Sequence, residues 1–273
     1  MPRLIVFSDM DGTLLHAKTY SFDEALPAIG ALKARGFPLV LVSSKTRAEI
    51  EHYRDIFGIH DPFVIENGAA VFIPKGSFPF PIEGAKEVAE GYLVLELGVP
   101  RSKILEALQS ASCALGVKFR GFASMDDAEV AERTGLPLEL AKLAKRREYD
   151  EPLVLDASLL ANLERLRVWL TKEGLHLTQG GRFAHVLGPN DKGLAVLSLR
   201  SLFARLWPDC LSVGIGDAPN DIPMLNVVDI PFVIPNAGVE QGMLSSVSNQ
   251  RRAFHSAPKG FAETIFGVLA EVA

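Results

Sequence analysis

Two aspartates, Asp9 and Asp11, stand directly after the apolar run Leu4–Ser8 and before Gly12. The run has the length and composition of a buried strand, and the glycine favours a turn behind it. Two carboxylates this close repel each other unless a cation, a shared proton or solvent balances their charge. The pair therefore fits two interpretations, a solvated turn or a site where one carboxylate and one backbone carbonyl bind the same cation.

Further polar residues that could take part in such chemistry follow apolar runs elsewhere in the chain. Ser43 ends one run, Asp217 follows another with Asn220 and Asp221 close behind it, and Lys192 stands at the start of a helical pattern. Each also has a plain structural interpretation. The serine suits a helix cap, acidic residues suit a helix N-terminus, and a lone lysine suits the surface.

Short apolar runs alternate with helical patterns over much of the chain, which predicts an α/β fold with a doubly wound parallel sheet. In such sheets, chemistry collects at the carboxyl ends of the strands. We expect Asp9, Ser43, Asn67 and Asp217 at those ends. The predicted strands are Leu4–Ser8, Pro38–Ser43, Phe63–Ile65, Cys210–Gly216 and Pro231–Ile234, and the first predicted helices are 21–35 and 46–57.

The middle of the chain differs in pattern and predicts an inserted α+β cap domain. We assign residues 1–84 and 185–273 to the core and residues 85–184 to the insert, with hinges at Pro74–Gly84 and 181–190. The predicted strands of the insert are Tyr92–Leu97, Val117–Phe122, Pro152–Leu155 and Leu175–Gln179. Its predicted helices are Pro100–Leu115, Asp127–Arg133, Leu138–Arg147 and Ser158–Glu173.

Composition narrows the class of protein. The 273 residues are 48% hydrophobic and 22% charged, with a net charge of −5, which argues against a nucleic-acid partner bound through its phosphates. The chain starts directly in a predicted strand and has no apolar run of membrane-spanning length, so we expect a cytoplasmic protein with no membrane partner. The sequence says nothing about the oligomeric state.

Four segments resemble the motifs of the haloacid dehalogenase-like phosphatase superfamily, in the same order and with a large cap insert. They are the segments around Asp9 and Asp11, Ser43, Lys192, and Asp217 with Asn220 and Asp221. The resemblance implies a Mg²⁺ cofactor held by Asp9, the Asp11 carbonyl and Asp217. It implies that Asp9 attacks phosphorus, because an acyl-phosphate intermediate divides a difficult hydrolysis into two easier steps. Asp11 would act as general acid and base. The remaining implied roles are phosphate binding by Met10, Ser43, Ser44 and Lys192, and support by Asp221.

Further segments resemble a narrower family of that superfamily, which hydrolyses 2-O-mannosyl-3-phosphoglycerate to mannosylglycerate, a compatible solute. This resemblance implies a small phosphorylated sugar-glycerate as substrate. The segments are Phe-Ser-Asp-Met-Asp-Gly-Thr-Leu-Leu (7–15), Ser-Ser-Lys-Thr (43–46), Glu-Asn-Gly-Ala (66–69), Glu-Arg-Thr-Gly-Leu (132–136), Arg-Glu-Tyr-Asp-Glu-Pro (147–152) and Gln-Gly-Gly-Arg-Phe-Ala-His-Val (179–186).

A glycerate carboxylate requires an arginine, a lysine or backbone amides as its partners. The segment Gln179, Gly180, Gly181 and Arg182 offers all of these at the edge of the insert, although it also fits a tight turn with a solvated arginine. We interpret His185 as a packed side chain. The other substrate-binding candidates are Lys45, Asn67, Arg133, Arg147 and Asn220.

Alternative functions remain open at this stage. A phosphomannomutase-like phosphotransferase has a similar core, and free phosphate release without dependence on a sugar bisphosphate separates the two. A broader sugar-phosphate phosphatase, including one that acts on glucosyl-3-phosphoglycerate, is distinguished by a substrate panel. A binding module without activity disagrees with the complete set of Asp9, Asp11, Ser43, Lys192 and Asp217.

Overall fold

The structure is a computed structural model that describes residues 2–88, 91–179, 183–238 and 244–272. The strands are β1 Leu4–Ser8, β2 Leu39–Val42, β3 Phe63–Ile65, β4 Ala70–Pro74, β5 Lys86–Val88, β6 Tyr92–Glu96, β7 Asp150–Val154, β8 His176–Gln179, β9 Phe183–Leu187, β10 Leu211–Gly216, β11 Ile230–Val233 and β12 Arg251–Arg252. The helices are α1 Leu26–Ala34, α2 Arg47–Phe57, α3 Arg101–Leu115, α4 Asp127–Thr134, α5 Leu138–Ala144, α6 Ala157–Lys172, α7 Lys192–Leu206, α8 Ile222–Leu225 and α9 Lys259–Glu271.

Among the described residues, nine strands form one sheet in the order β12-β11-β10-β1-β2-β3-β4-β6-β5. The first six are parallel, with Val6 opposite Val213 on one side and Leu39 on the other, whereas β4, β6 and β5 are antiparallel. The neighbours β10, β1, β2 and β3 therefore end at the same edge of the sheet. The predicted α/β fold with a doubly wound parallel sheet is confirmed.

Both faces of this sheet are buried, which explains why its strands read as continuous apolar runs. On β1, Leu4 and Val6 pack into the cluster that contains residues of α1, α2 and α9. Ile5 and Phe7 pack into the opposite cluster, with residues of α7 and α8. Because side chains alternate along a strand, every side chain of β1 before Ser8 belongs to one of these two clusters.

Helix α2 begins and ends as its sequence predicts. Thr46 accepts the N–H of Glu49, and the Glu49 side chain accepts the N–H of Thr46, which completes a capping box. Gly58 adopts a left-handed conformation (φ 57°) at the far end. These caps hold the residues that precede the helix, Ser43–Lys45, against the end of β2.

The insert has its own sheet and its own apolar clusters. Its sheet has the order β7-β9-β8, and helices α3 and α6 pack against it. A second cluster unites α4 and α5 around Phe122 and Val130. Within the described residues, no helix is both long and apolar enough to cross a membrane.

Three sequence-based assignments in the insert are corrected by the structure. Tyr92–Glu96 pairs with β4 and extends the large sheet, so the boundary predicted at residue 85 falls inside that sheet. Phe183–Leu187 pairs with β7 and β8, so the boundary predicted at residue 185 falls inside a strand of the insert. The strand predicted at Val117–Phe122 is absent, since only Gly121 forms a bridge, to Leu153, before a short 3-10 turn. Apolar alternation indicates a strand but does not identify the strand with which it pairs, and such pairing decided all three cases.

Candidate active site

Four polar residues lie at the carboxyl ends of adjacent strands, as predicted. Asp9 follows β1, Ser43 follows β2, Asn67 follows β3 and Asp217 follows β10. Backbone hydrogen bonds hold these ends together, because Asp9 N–H donates to Ile215 O and Asn67 N–H donates to Ser43 O. All four residues are buried.

Lys192 is the buried cation of this site. It is the first residue of α7, where Asp191 caps the helix by accepting the N–H of Leu194. Its Nζ donates to Asp9 Oδ1 at 2.6 Å and to Asp221 Oδ1 at 2.5 Å. Burial alone would lower the pKa of Lys192, but Asp221 and Asp9 raise it above its ordinary value. The ammonium therefore stays charged between two carboxylates.

The loop after β10 is arranged by Asp221. Its Oδ2 accepts the N–H groups of Asp217 and Ala218 at 2.9 and 3.0 Å, while its Oδ1 accepts Lys192. Both oxygens are thus occupied by protein donors. Asp221 thereby connects Lys192 to the loop that carries Asp217.

Asp217 is held from both sides by residues that were not among the predicted site residues. Its Oδ1 accepts the Thr13 hydroxyl at 2.8 Å, and its Oδ2 accepts Asn236 Nδ2 at 2.5 Å. Gly12 (φ 83°) lies so close that an added Cβ would stand 2.4 Å from Asp217 Oδ2, so a side chain there would displace the carboxylate. Thr13 belongs to the first motif, whereas no sequence signal singled out Asn236.

These carboxylates form a group that suits a divalent cation. Ligand oxygens of Asp9, Asp217 and Asp221 lie within 4.8 Å of one another, and all three residues are buried. Burial, opposed in part by Lys192, raises the pKa of Asp9 to about 7. Burial and the charges of Asp9 and Asp221 raise the pKa of Asp217 well above its ordinary value. A buried oxygen-rich group with excess negative charge fits Mg²⁺.

Asp11 lies at the entrance of the site and pairs with a cation from the next strand end. Its Oδ2 is 2.9 Å from Lys45 Nζ, and its Oδ1 has no hydrogen-bond partner among the described residues. Lys45 also reaches Glu49 at 3.4 Å. Burial alone would lower the pKa of Lys45, but Asp11 and Glu49 raise it. The two catalytic candidates thus have separate cations, Lys192 for Asp9 and Lys45 for Asp11.

The predicted phosphate-binding residues differ in their access to the site. Ser44 lines the cavity, as does Asp9. Ser43 does not line it, and its hydroxyl accepts the N–H of Lys45 at 3.3 Å. Met10 is buried in the core, and its carbonyl accepts the N–H groups of the turn that follows. Any contact of Met10 with phosphate is therefore through its backbone.

The insert contributes a second polar group around Asp150. Asp150 Oδ1 accepts Arg147 NH1, and its Oδ2 lies 2.8 Å from His185 Nδ1 and 3.2 Å from Asn67 Nδ2. Although burial alone would raise it, Arg147 and His185 hold the pKa of Asp150 below its usual value. Asn67 in turn accepts Asn220 Nδ2 at 3.0 Å, so a chain of hydrogen bonds joins the loop after β10 to the insert.

Glu66 fastens the insert to the core. Its carboxylate accepts the backbone N–H groups of Glu148, Tyr149 and Asp150 at 2.8 to 2.9 Å. Glu66 and Asn67 both have positive φ (44° and 59°), which turns the chain after β3 toward the insert. Burial and the charge of Asp150 raise the pKa of Glu66 to about 8. The predicted Glu-Asn-Gly segment is therefore a junction between core and insert.

A cavity of about 690 Å³ lies between the core and the insert, with Asp9, Asp11 and Asp217 on its floor. Lys45, Asn220 and Asn236 line its core side. The described part of its wall from the insert is mostly apolar but includes the Arg147 guanidinium and the His185 imidazole. The described lining residues of the insert are Phe122, Thr134, Leu136, Ala144, Arg147, Pro152, Phe183 and His185.

The structure separates the predicted substrate-binding residues. Lys45, Arg147 and Asn220 border the cavity. Asn67 does not border it, but its side chain accepts a hydrogen bond from Asn220. Arg133, a predicted substrate-binding residue, is exposed on α4 and does not line the cavity. Gln179 is exposed at the end of β8 and does not line it either. Gly180, Gly181 and Arg182 lie outside the described residues.

Comparison with known proteins agrees with this fold. Residues 6–78 match the model of a family described as haloacid dehalogenase-like hydrolase. A solved sugar phosphatase of the same superfamily, BT4131, has a TM-score of 0.66 at 15% sequence identity, with 98% of each chain covered. The fold is that of the haloacid dehalogenase-like hydrolases.

Curated relatives identify a family within these hydrolases. The chain is 38% identical over 274 residues to a glucosyl-3-phosphoglycerate/mannosyl-3-phosphoglycerate phosphatase of Persephonella marina, with 98% of each chain covered. It is 40% identical over 230 residues to a mannosyl-3-phosphoglycerate phosphatase of Pyrococcus furiosus, covering 84% of this chain and 90% of the relative. The chain belongs to the haloacid dehalogenase-like hydrolases, in the family of the mannosyl-3-phosphoglycerate phosphatases.

Proposed function

We propose that this protein hydrolyses 2-O-mannosyl-3-phosphoglycerate to mannosylglycerate and phosphate through a phosphoryl-aspartate. The observation that carries the proposal is the position of Asp9, with one oxygen on Lys192 at 2.6 Å, beside Asp217 and on the floor of a cavity roofed by the insert. A nucleophile held in this way faces the space that a phosphate monoester would occupy.

In the first step, an oxygen of Asp9 attacks phosphorus and the bond from phosphorus to the ester oxygen breaks. Asp11 gives its proton to that departing oxygen, so mannosylglycerate leaves as a neutral alcohol at this position. In the second step, Asp11 removes a proton from water, the water oxygen attacks phosphorus, and the bond to Asp9 breaks. Atoms and charge balance, and both aspartates return to their starting states.

Charge on the transferred phosphoryl group requires fixed positive partners. Lys192, the Ser43 hydroxyl and the backbone N–H groups near Met10 and Ser44 are the proposed donors. Asp9, the Asp11 carbonyl and Asp217 would hold Mg²⁺, with Asp221 in support. When bound, Mg²⁺ supplies positive charge next to the phosphoryl oxygens and the Asp9 carboxylate.

We propose that Arg147 binds the glycerate carboxylate, with Lys45 approaching from the core side. The Arg147 side chain is 6% exposed, and its NH1 is fixed by Asp150 and by Ser44 O. Its Nε has no hydrogen-bond partner among the described residues. A guanidinium has five N–H groups, so this one keeps hydrogen-bonding capacity for a carboxylate beside the phosphate site.

We also propose that the insert is a cap bounded by Gly98 and Gly188. These glycines lie where the chain crosses between the two sheets, and an added Cβ at Gly98 would stand 2.9 Å from both Ala69 and Asn190. Because the chain is tightly packed at both glycines, these two positions suit hinge motions of small amplitude. A closed cap would keep water from the phosphoryl-aspartate until the alcohol has left.

Phosphate release measured over a substrate panel tests the proposal. The panel contains mannosyl-3-phosphoglycerate, glucosyl-3-phosphoglycerate, 3-phosphoglycerate and a hexose phosphate, each with Mg²⁺ and with a chelator. We expect Mg²⁺-dependent release, fastest from the mannosyl compound. Equal rates on the two glycosyl compounds would support a phosphatase for both, consistent with the name of the Persephonella marina relative. Dependence on a sugar bisphosphate, or preference for a hexose phosphate, would overturn the proposal.

A further inference from the structure

His185 belongs to the cavity, although its sequence context suggested a packed side chain. It lies on β9 of the insert, is 5% exposed, and lines the cavity together with Arg147. Its Nδ1 is 2.8 Å from Asp150 Oδ2. Because the two ring nitrogens lie on opposite sides of an imidazole, this contact turns Nε2 away from Asp150.

Asp150 fixes the orientation of the His185 ring. Asp150 also forms an ion pair with Arg147. With Nδ1 on this carboxylate, the second ring nitrogen, Nε2, remains for another hydrogen bond. A hydroxyl can both donate and accept a hydrogen bond, so a ligand hydroxyl is a suitable partner for Nε2.

The neighbouring wall, as far as the structure describes it, is mostly apolar and is suited to a sugar ring. Phe122 and Phe183 pack edge to face, with ring centroids 5.0 Å apart, and both line the cavity. Pro152, Leu136 and Ala144 add apolar surface. A hydroxyl placed against this wall loses water and costs free energy unless it finds a partner.

We propose that His185, held by Asp150, binds a hydroxyl of the sugar in the leaving group and so contributes to substrate specificity. The inference rests on the proposed function, because it assumes a glycosylated phosphomonoester. Asp150 is then a positioning residue for two side chains that bind the ligand. It orients Arg147 toward the carboxylate and His185 toward the sugar.

Two substitutions separate binding from packing. In His185→Asn, the amide nitrogen replaces Nδ1 and keeps the hydrogen bond to Asp150, but the second ring nitrogen, Nε2, is lost. In His185→Gln, the longer side chain places a polar group near the position of Nε2 while the bond to Asp150 is lost. A merely structural histidine would tolerate Asn better than Gln, and a ligand-binding histidine would show the reverse order.

The measurement is kcat/KM for mannosyl-3-phosphoglycerate and for p-nitrophenyl phosphate, which has no sugar. We expect His185→Asn to lower the first value ~10- to 100-fold, mainly through KM, and the second less than ~3-fold. His185→Gln should keep more of the sugar preference. His176→Asn is the matched control, because His176 lies on β8 of the same sheet and does not line the cavity.

Each outcome is decisive when thermal denaturation accompanies the kinetics. Equal losses on both substrates, or an Asn variant that keeps its preference, would overturn the inference while the function stands. A wild-type protein that hydrolyses p-nitrophenyl phosphate but not the mannosyl compound would overturn the proposed function, and the inference with it. If His185→Asn unfolds, His185→Gln decides: loss of the bond to Asp150 with a lowered melting temperature but a retained sugar preference supports the inference, and loss of the sugar preference at a native melting temperature contradicts it.

Discussion

Nζ of Lys192 lies 2.6 Å from Oδ1 of Asp9, and both side chains are buried. The lysine comes from the N-terminus of a helix that follows the insert, and the aspartate comes from the first strand. The pair joins the two chain segments on either side of the insert. It also orients one oxygen of the proposed nucleophile.

Replacing Lys192 by Met is expected to remove activity and to destabilise the protein. Asp9 and Asp221 would be left buried without their common cation, which typically costs about 3–5 kcal/mol of unfolding free energy. Phosphate release should fall at least ~1000-fold, because a positive partner of the phosphoryl group is lost as well. Chemical denaturation and steady-state kinetics measure the two effects. Lys33→Met is the control, because Lys33 is an exposed lysine in the last turn of α1. A Lys192→Met variant whose activity is within tenfold of the wild-type activity would contradict the assignment.

Replacing Asp9 by Asn is expected to abolish turnover without loss of the fold. The amide cannot act as the nucleophile, so kcat should fall at least ~10,000-fold. Burial raises the pKa of Asp9 to about 7, which means that the charged form is disfavoured in the folded protein. The melting temperature of the metal-free variant should therefore equal or exceed that of the wild type at alkaline pH. The exposed Asp23 supplies a control, Asp23→Asn. Substantial hydrolysis by Asp9→Asn would refute the nucleophile.

Stability without metal should fall as pH rises from about 4 to above 7. Asp9 and Asp217 have pKa values raised above those of the unfolded chain, so in this range the folded protein binds more protons than the unfolded one. Their contribution to stability is therefore greatest at acid pH and is lost as the pH passes the raised values. Other titrating groups contribute to the total curve, and Asp9→Asn identifies the share of this site.

Mg²⁺ should reverse that trend, because it competes with protons for the same oxygens. The rise in melting temperature on adding Mg²⁺ should be larger at about pH 8 than at about pH 5.5. Thermal denaturation with a chelator and with saturating Mg²⁺ at both pH values makes the comparison. An equal rise at both values would show that the ion binds elsewhere. Asp217→Asn should abolish most of the rise at alkaline pH.

Arg147→Gln should discriminate between substrates with and without a carboxylate. The expected loss of kcat/KM on mannosyl-3-phosphoglycerate is ~100-fold, and on an analogue with a hydroxymethyl group in place of the carboxylate it is below ~5-fold. Arg101→Gln is the matched control. Arg101 pairs with Glu151, the neighbour of Asp150 on β7, but does not line the cavity. Equal losses on both substrates would reduce Arg147 to a structural partner of Asp150.

Much of the core site could be predicted from sequence because its signals are local. Asp9, Ser43 and Asp217 each follow a strand buried on both faces, and the first polar residue after such a strand lies at the edge of the sheet. Phe63–Ile65 matches its predicted bounds, and Leu211–Gly216 differs by one residue. The types and order of these residues carry the resemblance to the haloacid dehalogenase-like phosphatases, and the reaction was implied by that resemblance.

Only the tertiary structure decided how the insert meets the core. Arg133 and Arg147 looked equivalent in sequence, yet Arg133 is exposed on α4 while Arg147 is buried against Ser44 and Asp150. The cavity position of His185 likewise depends on Asp150, which is 35 residues away along the chain. Periodicity tells which residues are buried, but the neighbours that surround a buried polar group come from distant segments. Pairing across such distances is set by packing of the whole fold, and no local pattern encodes it.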